Sequence, residues 1–374
     1  MTPILAVCAE ELGRILTLKP ARSVLIMGML LYAAFYPQPY LNEALHDVPI
    51  ALVDQDGSTS SLEFARRLDA SPDLSVAAVL PDVPSAERAI LARDLYGILL
   101  IPRDFEQELL HGRASPLALY ADASYLLMYQ RMSSGVSAVA RAFGAEVETA
   151  RLVGIGVDPA LAGAAVDPMP LTAVPLFNPQ SGYATYLLPA ALVLILQQLL
   201  LIGTGLLGTL PRPTPGVAAG PATRVGGRLL AYLCLQVLVV PFYLVVLPWI
   251  YDIPRLGSPL LILAVALPFV LAVGALGQVV AGLFRQPLLV QLAAASIGLP
   301  FFFLAGFAWP AEAMPAPLRL LAELVPSTSA IEALVGVGQL GAGLTDVRTP
   351  FLMLWGLAGF YGLLAIMLER RRQP

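Results

Sequence analysis

Apolar and polar positions divide this chain into long uncharged runs and one alternating segment. A bilayer core about 30 Å thick needs roughly 20 mostly apolar residues per helical span. The first uncharged run is Ser23 to Asn42, with an apolar heart from Val24 to Phe35. Five more spans are predicted: Tyr186–Leu210, Leu229–Tyr251, one within Leu256–Phe284, one within Gln286–Trp309, and Thr349–Leu368. The segment 310–348, before the last span, is amphipathic and rich in Pro and Gly.

Residues 43–185 follow another pattern. Val48–Val53 is a short β-type run stopped by Asp54-Gln-Asp-Gly57, which is turn chemistry. Ser58–Ala70 carries Leu62, Ala65 and Leu68 on one helical face. Leu74–Leu80, Leu95–Ile101 and Pro116–Ala121 read as further strands. Helices are expected from a Ser85 cap to Arg93, from Pro102 to Leu110, and from Tyr125 to Leu152. Alternating strands and helices predict a mainly parallel or mixed sheet covered by helices. The fold class is thus an α-helical integral membrane protein of about six transmembrane helices with an inserted extracytoplasmic α/β domain.

Ahead of the first span, residues 1–22 place Ile4, Leu5, Cys8, Leu12, Ile15 and Leu16 near helical spacing, with Glu10, Glu11 and Arg14 between them. This is an amphipathic helix lying in the membrane interface, its charges expected to stay hydrated. Arg14, Lys19 and Arg22 before a short apolar stretch fit either a retained signal anchor, residues 23–42, or a cleaved signal peptide.

Composition and charge then fix an orientation. Charged residues make up 13% of the chain, against about 25% in soluble domains. With the start of the chain in the cytoplasm, the inside segments hold Arg14, Lys19, Arg22, Arg212, Arg224, Arg228, Arg285, Arg370, Arg371 and Arg372; the short outside loops hold Arg255, Arg319 and Arg348. That bias predicts both termini and the loop 211–228 inside, and the α/β domain and the hairpin 310–348 outside.

Candidate chemistry narrows the function. A phosphate-binding loop needs a lysine after a glycine-rich turn, and Lys19, the only lysine, follows no such turn. Cys8 and Cys234 are far apart in sequence, and neither His46 nor His111 has a ligand-like neighbour at helical spacing. Gly203-Thr-Gly205-Leu-Leu-Gly208 and Gly336-Val-Gly338-Gln-Leu-Gly341 match a dinucleotide fingerprint, but neither follows a strand. Close helix packing explains them, and Gly356, Gly359 and Gly362, better. Ser124, Ser133, Ser134, His111 and Asp122 form no nucleophile elbow. Gln197, Gln198, Gln236, Gln278 and Gln291 lie within spans, where polar groups face the bundle and serve either interhelical hydrogen bonds or a substrate path.

The layout resembles the permease subunit of type-2 ABC exporters, in the subgroup with a large outside domain between spans one and two. The resemblance rests on Val48–Asp56, Leu95–Pro102, Leu119–Ser124, Phe177-Asn-Pro179, Leu187–Gln198, Phe307–Pro326 and Ser329–Gly338. It implies a non-catalytic subunit that pairs with a second permease, homo- or heterodimeric. Cytoplasmic ATP-binding subunits would carry ATP and Mg, with no cofactor in this chain. It further implies export of a drug-like or lipid-like substrate from the inner membrane, often beside a periplasmic adaptor, with no nucleic acid involved. The amphipathic helix (Glu10, Glu11, Arg14) and the loop 211–228 (Arg212, Arg224, Arg228) would couple to the ATP-binding subunits. A mechanical or signalling protein driven from below is the alternative. A membrane-anchored enzyme is disfavoured, for want of any catalytic constellation.

Overall fold

The structure is a computed structural model that describes residues 2–40, 45–212, 216–307 and 309–371. Leu41–Ala44, which hold the end of the expected first span, and Pro213–Pro215 of the loop 211–228 lie outside the described residues, as do Ala308 and Arg372. The chain forms two compact units: Met1–Glu43 with Pro175–Pro374, and Ala44–Val174.

The chain starts with α1 (Pro3–Thr17), which meets α2 (Lys19–Tyr40) at an 83° bend. The bend has a chemical cause. Pro20 has no N–H to offer the Leu16 carbonyl and its ring crowds that position; Arg22 Nη1 donates to the carbonyl instead, at 3.3 Å. Leu18 is accordingly extended, with φ −81° and ψ 111°.

The inserted unit runs β1 (Val48–Asp54), α3 (Thr59–Asp69), β2 (Leu74–Val79), α4 (Val83–Leu91), β3 (Gly97–Ile101), α5 (Phe105–Leu110), β4 (Ala118–Ala121), α6 (Leu126–Gly154) and α7 (Pro159–Val166). The sheet order is β2-β1-β3-β4; β1 pairs parallel with β2 and β3, and β4 is antiparallel to β3. The two inner strands are near-continuous apolar runs because both faces are covered. Ile50, Leu52 and Leu99 meet Phe64, Phe105, Met132 and Phe143 on one face; Ala51, Val53 and Ile98 meet Ala86 on the other. Ser58 caps α3 through the Ser61 N–H. The cap of α4 is Asp82, whose carboxylate accepts from Ser85 N at 2.8 Å, so the expected Ser85 cap moves one turn back. The aspartate sits ahead of Pro84, which suits the first turn of a helix.

The membrane unit then adds α8 (Tyr183–Thr209), α9 (Pro221–Ile250), α10 (Pro259–Phe284), α11 (Pro287–Leu304), α12 (Ala316–Glu323), α13 (Pro326–Gly338) and α14 (Arg348–Arg370). Five of these, α8 to α11 and α14, are each long and apolar enough to cross a membrane, and the α12–α13 pair is bent by 81°. Six spans result if α2 crosses and the α12–α13 pair does not. α8 and α10 form the buried centre, whereas α11 is mostly exposed within this chain.

Glycine lets the central helices touch. A Cβ at Gly203 would lie 2.3 Å from Leu25, one at Gly205 2.7 Å from Val290, and one at Gly208 2.4 Å from Ala281. These positions pack helices, as small residues do in membranes. Gly356, Gly359 and Gly362 differ from the expectation, since a Cβ at any of them meets nothing within 4 Å. They lie along α14 without close helix contact in this chain.

Candidate functional site

Charged residues of the membrane unit converge where α1, the end of α8, the start of α9 and the end of α14 meet. Arg14 is buried. It donates to Glu11 at 2.6 Å and to the carbonyls of Leu207, Leu210 and Pro211 at 2.8, 3.0 and 3.4 Å. Those carbonyls belong to the last turn of α8 and just beyond it, where no helical N–H can reach them. A guanidinium there satisfies them and matches the negative end of the helix dipole. Arg14 therefore caps α8 from α1.

The far oxygen of Glu11 accepts from Tyr232 Oη at 3.0 Å, which ties α1 to α9. Arg228, buried on α9, makes a two-point pair with Glu369 of α14 at 2.8 and 3.1 Å, and Arg224 stands 3.8 Å from the same carboxylate. Glu10 accepts from Val217 N at 3.0 Å and so holds the loop 211–228 against α1. Arg212, in that loop, is half-buried. Burial and the neighbouring Arg228 lower its pKa, and the charges of Glu11, Arg14 and Glu369 also act on it.

The six charged residues singled out from the sequence thus fall in one region, but two do not sit as expected. Glu11 and Arg14 are 1% and 3% exposed, not on a hydrated face. Desolvated charges must be paired. The fold pairs these two with each other, with a tyrosine, and with orphaned helix-end carbonyls.

The glutamines separate by position. Gln197, on α8, forms a closed pair with α13: its Nε2 donates to Ser327 Oγ at 2.9 Å and its Oε1 accepts from Ser327 N at 2.7 Å. Gln198 donates to the Ala294 carbonyl of α11 at 2.6 Å and lies against Gly298, where a Cβ would approach it to 3.0 Å. Gln236 is buried with its Oε1 unmatched, and Gln278 is buried with both amide atoms unmatched. Gln291 is exposed, contrary to the expectation that it faces the bundle; α11 turns that side away from the other helices of this chain.

Gln197 and Gln198 line an open groove of about 400 Å³ between α2, α8 and α11. Its other walls are apolar or aromatic and include Tyr32, Tyr36, Ile195, Phe301 and Phe302. An apolar concavity with a few placed polar groups is what a hydrophobic ligand needs. Sequence reasoning passed over Tyr232, Ser327 and Glu369. The signal for Glu369 was available: a glutamate inside an otherwise apolar final helix, just before an arginine run.

A multi-pass bundle with a buried charge node at one end and a lateral apolar groove is the architecture of a membrane permease. The chain matches the family model described as ABC-2 family transporter protein over residues 23–367. It belongs to that family and is the membrane permease of an ABC transporter, a class that works with ATP-binding partner subunits. No curated protein matches the chain. The match begins after α1, so Glu10, Glu11 and Arg14 lie ahead of it while Arg212, Arg224, Arg228 and the glutamines lie within it.

Proposed function

We propose that the chain is the permease of an exporter, of the subgroup with a large extracytoplasmic domain, that moves a hydrophobic, drug-like or lipid-like substrate out of the cytoplasm or inner leaflet. The observation that carries this reading is the groove between α2, α8 and α11, joined through α8 to the charge node. Arg14 grips the end of α8, and Gln198 sits eleven residues before Thr209 on the same helix. At 1.5 Å per residue the two ends of that lever are about 16 Å apart. A push on α1 or on the loop 211–228 is transmitted along a rigid helix to the groove wall. ATP and Mg act on the partner subunits, which press on Glu10, on the loop, and through them on Glu11, Arg14, Arg212, Arg224 and Arg228.

The arginine bias supports an inner-membrane orientation with both termini cytoplasmic and the Ala44–Val174 unit outside. The exposed side of α11, with Leu288, Leu292 and Leu299 bare, supports a second permease that closes the groove from across; an outside adaptor fits the exported unit.

The test is reconstitution with the ATP-binding subunit in proteoliposomes. ATP should drive efflux of a hydrophobic dye, and Ala295→Trp, which fills the groove, should abolish efflux while the complex still assembles. Full dye efflux by that variant would remove the groove from the pathway. Cysteines placed at Gln55 and Ala218 in a chain lacking Cys8 and Cys234 should label from outside and inside respectively; the reverse pattern would overturn the orientation.

A further inference from the structure

The charge node holds more cation than its own partners satisfy. Three guanidinium groups (Arg14, Arg224 and Arg228) pair with two carboxylates, Glu11 and Glu369, and a fourth, Arg212, lies within reach of their charges without pairing to either among the described residues. Among the described residues, three buried guanidinium N–H groups find no acceptor: Arg14 Nε, Arg228 Nε and Arg212 Nη2. Arg14 and Arg228 are each 3% exposed, so water does not readily serve them. A buried donor left unmatched costs free energy, and more when it is charged. Three of them on three arginines of a single cluster give it unused capacity for an anionic acceptor.

The surroundings specify the anion. On the other side of α1, Leu5 and Leu16 are exposed, which sets the helix into a lipid interface. The medium beside the node is therefore the headgroup layer, where phosphates are abundant. Guanidinium forks match phosphate oxygens, and basic pockets between helix ends suit anionic headgroups. We propose that Arg212, with Arg14 and Arg228, forms a binding site for the phosphate of an anionic phospholipid. The bound headgroup completes the node that joins α1 to α8, α9 and α14. This site follows from the membrane placement and the unmatched donors, and stands whether or not the node transmits the motion of a partner.

The experiment uses the full chain in nanodiscs of phosphatidylcholine, with or without a minor fraction of phosphatidylglycerol. Native mass spectrometry should show phosphatidylglycerol retained about tenfold over its share of the disc, and its presence should raise the melting temperature. Arg212→Gln should lose both effects, yet melt no lower than the unsubstituted chain in phosphatidylcholine alone, because Arg212 makes no ion pair among the described residues. Arg212→Lys should recover part of the retention, and Arg319→Gln, an exposed arginine on α12, which contributes nothing to the node, should keep all of it. A second arm gives inorganic phosphate to lipid-depleted protein in detergent. Protection by phosphate alone, without lipid retention, would assign the site to free phosphate and overturn the lipid source. Equal retention of both lipids, or unchanged retention in Arg212→Gln, would overturn the site. Loss of the ATP-binding subunit from Arg212→Gln with no change in lipid binding would assign the arginine to that partner instead.

Discussion

The two units of this protein use the same arginine–glutamate chemistry under opposite conditions. In the inserted α/β unit the pairs are spread over the surface: Arg67 with Glu63 and Glu146, Arg113 with Glu108, Arg151 with Glu148. Water screens each of them and replaces a lost partner. In the membrane unit the ion pairs among the described residues are gathered into one node, where a lost partner leaves a charge shut away from water. The inserted unit stands on its strand and helix core and uses charge as trim. The membrane unit uses charge as a joint between helices whose apolar faces alone would not fix their ends.

The largest effect should therefore follow from breaking the joint. Glu369→Ala leaves Arg228 buried without its two-point partner, and should cost about 3–5 kcal/mol in the thermal unfolding of the purified chain. Glu146→Ala, which removes an exposed partner of Arg67, should leave the melting temperature where it is.

Glycine sharpens the contrast next. A Cβ at Gly257 would come within 1.8 Å of the Val337 carbonyl, a backbone atom that cannot swing aside, whereas Gly144 on α6 meets nothing within 4 Å. Gly257→Ala should destabilise by about 1–3 kcal/mol. Gly144→Ala should stabilise by about 1 kcal/mol through helix propensity. The same substitution thus changes sign between units, read as opposite shifts in the denaturation midpoint.

A smaller effect is expected at the buried polar pair. Ser327→Ala takes the acceptor from Gln197 Nε2 and leaves the Ser327 N–H bond in place. The loss should be about 1–2 kcal/mol, visible as a lower melting temperature with groove binding of a hydrophobic dye altered as well.

The smallest effect is the response of the inserted unit to acid. Hydrogen bonds from arginine lower the carboxyl pKa of Glu63, Glu108, Glu146 and Glu148 below 4.5, and hydrogen bonds from Ser85 and Ser124 lower Asp82 and Asp122 below 3.8. Depressed values mean stability that is fully present above the unfolded pKa and lost as the pH falls through the folded one. Amide hydrogen exchange in residues 45–174, corrected for intrinsic rate, should be flat from pH 7 to about 5 and should quicken only below about 4.

The sequence displays some of this plainly and hides the rest for physical reasons. Uncharged runs of span length and the alternation around Val48–Val53 are local signals, so the helical membrane class and the inserted α/β unit could be read directly. The arginines of the loop 211–228 and Glu10 could be singled out from charge against an apolar background. Burial of Glu11 and Arg14 could not, because it depends on helix-end carbonyls some 200 residues later, at Leu207 and Leu210. Periodicity marks which face of α1 is apolar, but a charge seated on the buried face looks the same in sequence as one on the hydrated face. The exposure of Gln291 within this chain is hidden from the sequence for the same reason: facing is a property of the assembled helices, and α11 has few neighbours within this chain.

The account stands on transmission from α1 through Arg14 to the groove. Its most direct test places an environment-sensitive fluorophore on Ala295→Cys, in a chain whose native cysteines are replaced, and follows it in the complex with the ATP-binding subunit. With Arg14 intact, adding ATP should shift the emission. With Arg14→Gln, in a complex shown by co-purification to be assembled and still hydrolysing ATP, the shift should disappear. An undiminished ATP-dependent shift in that variant would contradict the coupling of α1 to the groove.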